Sequence, residues 1–470
     1  MSVSLELNDA INYSVKQSSH PSYRMSRVLP QSNASETLAS GANITTQIEL
    51  PNKVYNLSRS TLDFRMDVVG TASEFSRTWS LGAPIESFVL SSREGVELAR
   101  VDSADIYGAA VLPYVTKLED FLSHPKSLGA NDATLATAQS LAETTQDKGF
   151  NFFPNGAALA SNDNPAVDCG RNPVRVVAGA GAINDVAYTE MQYFRQGGDD
   201  DDVCINFSIP FSKIAPHTVC SMDKDFFFGQ NLLLNVNWVS KQQAGWEGSS
   251  ATVIETGEAV ITGDITVNNI RVYLAVETNE VIANMIKQRA ATEGLKLMVP
   301  FVRAYTYVSP VSTGSTMNQK VNLSNGQRLL HCYSVCLHNT STLSTRHDKS
   351  NLVQIKVQSY QNQIDSMNLS ENRIDEQNGE GYQNHRDLIK GSCIQNANVY
   401  AHNRVNILSF RDGPTCEWLE RDGVMDGLDL SQEKYISIDQ TTVSAAYRNM
   451  LFVVTQKLLN VQPSGMISLQ

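Results

Sequence analysis

Leu62-Asp63-Phe64-Arg65-Met66-Asp67-Val68 alternates apolar and charged side chains without a break. Successive side chains of an extended strand point to opposite faces, so this segment turns Leu62, Phe64, Met66 and Val68 toward a core and its charges toward water. Gly70 ends the run. Working outward, the same period recurs at Leu232, Leu234, Val236 and Trp238, and at Ile270, Val272, Leu274 and Val276. In the second half it returns at Val353, Ile355 and Val357, with Gln354, Lys356 and Gln358 on the wet side. Turn signals such as Arg93-Glu94-Gly95, Asn325-Gly326 and Asp412-Gly413 stand between the runs. Many short strands with regular punctuation predict an all-β sandwich or jelly roll.

The 470 residues are 41% hydrophobic and 18% charged, the balance of a folded globular protein. All-β sandwiches run to about 200–250 residues, so two large β domains account for the length. A net charge of −12 argues against a surface that embraces nucleic acid, which takes clustered Lys and Arg. The first fifty residues set only Lys16, Arg24 and Arg27 against Glu6, Asp9, Glu36 and Glu49, which is no basic arm. No apolar run reaches eighteen residues, so no transmembrane helix is expected. Met1-Ser2-Val3-Ser4-Leu5-Glu6 lacks the pattern of a signal peptide. Seven cysteines without framework spacing point to a reduced intracellular compartment.

Two short stretches echo each other: Ile85-Glu86-Ser87-Phe88-Val89-Leu90-Ser91 and Ile364-Asp365-Ser366-Met367-Asn368-Leu369-Ser370. Each follows a strand-like run in its half of the chain, the placement expected of one β architecture written twice. Between the halves, Glu280 to Thr292 reads as a helix. Val281, Ile282, Met285 and Ile286 make an apolar stripe, Thr278 or Asn279 can cap it and Gly294 can end it. The expected organisation is an N-terminal arm at 1–40, a first β domain at 41–278 and a linker helix at 279–298. A second β domain at 299–457 and a C-terminal tail at 458–470 complete it. The first domain carries a long insertion near 103–200, including an Ala-, Thr- and Leu-rich helical stretch at 132–144. Excursions of this kind on a β scaffold carry surface function or partner contacts.

Candidate chemistry is sparse. Asp199-Asp200-Asp201-Asp202 follows two glycines and offers oxygen ligands for a hard cation. The spaced Asp-x-Asp-x-Asx-Gly loop is missing, and a solvated acidic loop tip accounts for the run equally well. His331-Cys332 and Cys336-x-His338 invite a zinc reading. Along a strand, however, Cys332 and Cys336 share a face that His331 does not, whereas structural zinc takes four convergent ligands. The expectation is core cysteines with exposed or hydrogen-bonded histidines. No Gly-x-Ser-x-Gly elbow, Cys/His arrangement or nucleotide-binding glycine loop occurs, so neither catalytic residues nor a cofactor are expected. Phe226-Phe227-Phe228 leads into the Leu232–Trp238 run and reads as a strand entering the core. Phe152 and Phe153, beside Pro154-Asn155-Gly156, are the candidates for a subunit interface.

The order and spacing of these elements resemble the double jelly-roll major capsid proteins of tailless icosahedral DNA viruses, the virophage and polinton-like type. The segments that carry the likeness are Gln47–Asn52 with Leu57–Leu62, Ile209-Pro210-Phe211 with Asn231–Val239, and Ile270–Val276 with its helix. Leu352–Leu369 and Tyr447-Arg448-Asn449-Met450-Leu451-Phe452-Val453-Val454 complete it, over about residues 43–457. The resemblance implies two tandem jelly rolls joined by a short helix, trimerised into a pseudo-hexagonal capsomer that tiles an icosahedral virion shell. Its implied partners are the other two subunits, neighbouring capsomers, and penton and minor capsid proteins. The genome is left to a membrane or separate basic proteins, and ordered tails at 1–40 and 458–470 would suit lashing neighbours together. Two rival readings are a carbohydrate-binding or carbohydrate-active β-sandwich, which needs an aromatic platform from only four Trp, and a minor viral vertex or fibre protein.

Overall fold

The computed structural model describes residues 21–39, 41–69, 74–76, 84–117, 193–195, 203–244, 246–248, 264–308, 316–323, 328–338, 357–376, 379–392, 405–420, 427–430, 434–442 and 447–470. The first half contributes eight principal strands: β1 (Tyr23–Val28), β2 (Ile44–Leu50), β3 (Tyr55–Val69), β4 (Ile85–Ser92), β5 (Glu97–Asp102), β6 (Val203–Pro210), β7 (Leu232–Trp238) and β8 (Asp264–Glu277). They pair antiparallel in two sheets, β1-β8-β3-β6 and β2-β7-β4-β5. The second half supplies β9 (Leu295–Val308), β10 (Thr316–Leu323), β11 (Arg328–His338), β12 (Val357–Ile364), β13 (Met367–Asn368), β14 (Asn406–Ser409), β15 (Lys434–Thr442) and β16 (Tyr447–Val461). Their sheets are β9-β16-β11-β14 and β10-β15-β12-β13. Every pairing of the first set recurs eight strands later. Eight strands in this order over two facing sheets make a jelly roll, so the chain is a double jelly roll.

The echo that hinted at duplication does not align with it. Ile85–Ser91 is strand β4 itself, whereas Ile364–Ser370 spans the last residue of β12, a turn and β13. Asp365 and Ser366 both have positive φ, as a tight two-residue hairpin requires. The true counterpart of β4 is β12, and sequence likeness between the two is not what relates them.

Alternation works as expected in β7, where Leu232, Leu234, Val236 and Trp238 are all buried, and in β3, where Leu62, Phe64 and Met66 are. In β8 the inward set is Ile265 and Val267, then Ile270, Val272 and Leu274. The odd step falls at an irregularity around Asn269, whose φ is +55°, and this bulge returns the apolar residues to the core face. Phe64 stacks on Phe207 at 4.6 Å and meets Trp238 edge-on at 4.9 Å, while Trp238 Nε1 donates to Thr46 Oγ1 at 2.8 Å. The Phe64–Trp238 contact fastens the two sheets of the first roll together, and the other two brace its partners within their own sheets. Phe226 and Phe228 are buried as expected. The second roll uses more polar contacts. Asn362 and Asn406 exchange amide hydrogen bonds of 3.0 and 2.8 Å, and Asn449 joins Ser334, Gln440 and Gln319.

Antiparallel pairing sends every odd-to-even connection of a roll to one end. In the first roll the long connections after β3, β5 and β7 all leave from that end. Three short strands from them, Glu74–Ser76, Tyr193–Arg195 and Trp246–Gly248, form a small sheet of their own. The 132–144 stretch lies outside the described residues.

Both expected tails need correction. Tyr23–Val28 is no part of a free arm, because it pairs residue by residue with β8 from Tyr23–Glu277 to Val28–Val272. The end of the chain folds back: β17 (Ile467–Leu469) pairs with β16 and buries Ile467. A purely local reading missed both, since strands this short gain stability only from the sheet that receives them. Helix α2 (Glu280–Thr292), counting α1 as Ala104–Ala110, connects the rolls. Asn279 caps it by accepting from the Val281 N–H, but its apolar stripe does not pack into a core. Only Ala283 is buried, and Val281 and Met285 face solvent.

Candidate assembly surface and inter-roll seam

The rolls meet along one seam whose parts come from sequence positions far apart. Strand β5 of the first roll lies against β9 of the second. Glu97 on β5 acts on Lys457 of β16: partial burial and the Arg303 charge lower the ammonium's pKa, and Glu97 pulls it back up. Arg100 on the same strand bridges Glu97 at 2.6 Å and Asp102 at 2.8 Å. One hydrophobic core runs through both rolls, from Leu62 and Trp238 to Val302, Tyr333 and Phe452.

At its centre sits a cluster of rings. Helix α1 carries Tyr107 edge-on to Phe452 at 4.8 Å, and its hydroxyl lies 2.6 Å from His217 Nδ1. Tyr333 Oη lies 3.4 Å from His217 Nε2. His331 stacks on Trp418 at 4.2 Å and meets His217 at 4.6 Å. Burial, with a smaller push from the Arg411 charge, lowers His217 to about 3. Burial lowers His331 well below the usual imidazole value, and His217 and Arg411 add to it. Both rings are therefore neutral at ordinary pH. His331 is thus buried rather than exposed. His217, which takes a φ of +58°, went unnoticed in the sequence because nothing in its neighbours announces a burial site.

Two further ties cross the seam. Tyr114 Oη accepts from the Val405 N–H at 3.2 Å, and Thr415 Oγ1 donates to the Tyr114 carbonyl at 2.5 Å. At the foot of the molecule the β16–β17 turn presses on the first roll. Gln230 Nε2 donates to the Gly465 carbonyl at 2.9 Å, and a Cβ placed on Gly229 would stand 3.1 Å from Gly465 Cα. A shared apolar core with several polar ties joins the two rolls.

Cys332 and Cys336 are buried apolar packing residues whose thiol pKa values burial pushes up, and the described residues contain no group of three potential metal ligands. Trp238 and Trp418 are buried and supply no exposed platform. Asp199, Asp200, Asp201 and Asp202, and Phe152 and Phe153, lie outside the described residues.

No protein-family model matches the chain, and no curated protein does. In three dimensions it is similar to the mavirus major capsid protein, with a TM-score of 0.53, 11% identity, and coverage of 100% of this chain and 96% of that one. A chain of the Sputnik virophage gives 0.54, 9% identity, and 100% and 92% coverage. The PBCV-1 virus capsid gives 0.50, 9% identity, and 97% and 98% coverage. At such identities the likeness is one of fold, and it extends over the whole double roll.

Proposed function

We propose that this chain is the major capsid protein of an icosahedral virus, working as a trimer whose outline is pseudo-hexagonal. The observation that carries the reading is the recurrence of strand order, β1–β8 repeated as β9–β16, within one subunit. Three copies of such a subunit around a three-fold axis present six similar sides, so a single product tiles a closed shell. The long connections gathered at one end of the first roll suit an outer surface, leaving the sides of the rolls for contacts between capsomers. A net charge of −12 fits a shell that leaves genome packing to other components. On this reading the protein resides in the virion, its work is burial of surface between copies, and it has no catalytic centre. Penton and minor capsid proteins, and any internal membrane, would be neighbours in the particle.

Sedimentation of the full-length protein at high concentration, with negative-stain images of the same sample, tests this. The expected result is a species of three times 51.7 kDa with a hexagonal outline and three-fold symmetry. A chain that stays monomeric throughout defeats the proposal.

A further inference from the structure

Few large apolar side chains stand exposed on the described surface, and two pairs of them occupy related places. Met25 is 45% exposed on β1 and Leu29, just beyond it, 51%. Met367 is 65% exposed on β13 and Leu369, just beyond it, 41%. These strands are the counterparts, one roll removed, of the two that meet inside the chain: β1 corresponds to β9, and β13 to β5. Each ends its own sheet, so each leaves an edge without a neighbouring strand among the described residues. The chemistry matches as well. Met25, exposed Arg27 and Leu29 alternate along one face of β1, and Met367, Leu369 and exposed Glu371 alternate beyond the β12–β13 turn. Inside the chain, Glu97 of β5, which Arg100 of the same strand also bridges, acts across the contact on Lys457 beside Arg303 of β9.

We infer that the β13 edge of one copy docks on the β1 edge of a second copy, repeating between subunits the β5–β9 contact that joins the rolls within one. This rests on the trimer reading and assigns its contact to named residues. The two edges differ, so the contact is head-to-tail rather than two-fold. Such a contact closes into a ring when the rotation fits, and three subunits carry six rolls to close it. Three internal contacts would then alternate with three external ones around the axis. Covering the four apolar side chains removes from water the surface that a monomer would otherwise leave wet.

The test is sedimentation velocity on the full-length protein and three single variants, Met25→Glu, Met367→Glu and Met285→Glu. Met285, 64% exposed on α2, is an equally apolar control away from both edges. All three sites are exposed in the free subunit, so circular dichroism and the melting temperature should match the parent. The expected outcome is loss of the three-chain species in Met25→Glu and in Met367→Glu, each running at 51.7 kDa, with Met285→Glu unchanged. Persistence of the trimer in either edge variant, or its loss in Met285→Glu, overturns the assignment while leaving the trimer intact as a reading. A parent protein that sediments as one chain defeats the trimer reading itself.

Discussion

Lowering the pH from 7 to 5 should destabilise this fold through its buried imidazoles. His217 and His385 are fully buried, and burial lowers them to about 3 and about 4. His385 is satisfied in its neutral form, with Nδ1 2.9 Å from the Gly381 carbonyl and Nε2 accepting from the Ile407 N–H at 3.1 Å. An unfolded chain titrates its histidines near 6.5. Between that value and the folded one, the unfolded state binds a proton that the folded state refuses, so stability falls as pH falls. The loss begins near pH 6.5 and grows until about pH 4 for His385 and about pH 3 for His217. At pH 5 the solution lies about 1.5 units below the unfolded value of 6.5, and at about 1.4 kcal/mol per unit for each ring the pair costs roughly 4 kcal/mol. His331 adds to this in the same direction. A domain's whole net stability is about 5–15 kcal/mol, so the effect is large. Urea unfolding followed by tryptophan fluorescence at pH 7 and pH 5 measures it. His385→Gln should lower stability at both pH values yet shrink the difference between them by about 2 kcal/mol. A urea midpoint that is the same at pH 5 and pH 7, or a difference untouched by His385→Gln, refutes the reasoning.

Gly465→Val places a branched side chain at a φ of +85° and against the Gly229 carbonyl, 3.3 Å from the new Cβ. A cost of about 1–2 kcal/mol from the left-handed backbone alone, with faster proteolysis beyond residue 461, is expected, and an unchanged melting temperature would contradict it. Asn362→Leu strands the Asn406 amide in the core of the second roll and should cost about 1–3 kcal/mol by urea titration. The double change Asn362→Leu with Asn406→Leu should recover part of that loss, because both partners are then apolar. Phe64→Ala removes the ring held between Phe207 and Trp238 and should cost about 3–5 kcal/mol, read as a lower melting temperature.

Period-two alternation was legible in the bare sequence because it is a local rule: side chains two apart share a face whatever the rest of the chain does. That rule alone marks Leu62–Val68 and Leu232–Trp238 as half-buried strands, and the helix between the halves declares itself by its Asn279 cap and Gly294. Net charge and the lack of catalytic motifs likewise needed no coordinates. What the sequence could not settle was which strand lies beside which. The pairing of Tyr23–Val28 with β8 and the meeting of His217 with His331 join residues more than a hundred positions apart, and strand order rests on such joining. Nothing in a local window encodes these meetings. The duplication itself shows the difference best. Its sequence trace misaligned β4 with a turn, whereas its topology repeats strand for strand, since sheet pairing depends on pattern and backbone hydrogen bonds rather than on side-chain identity.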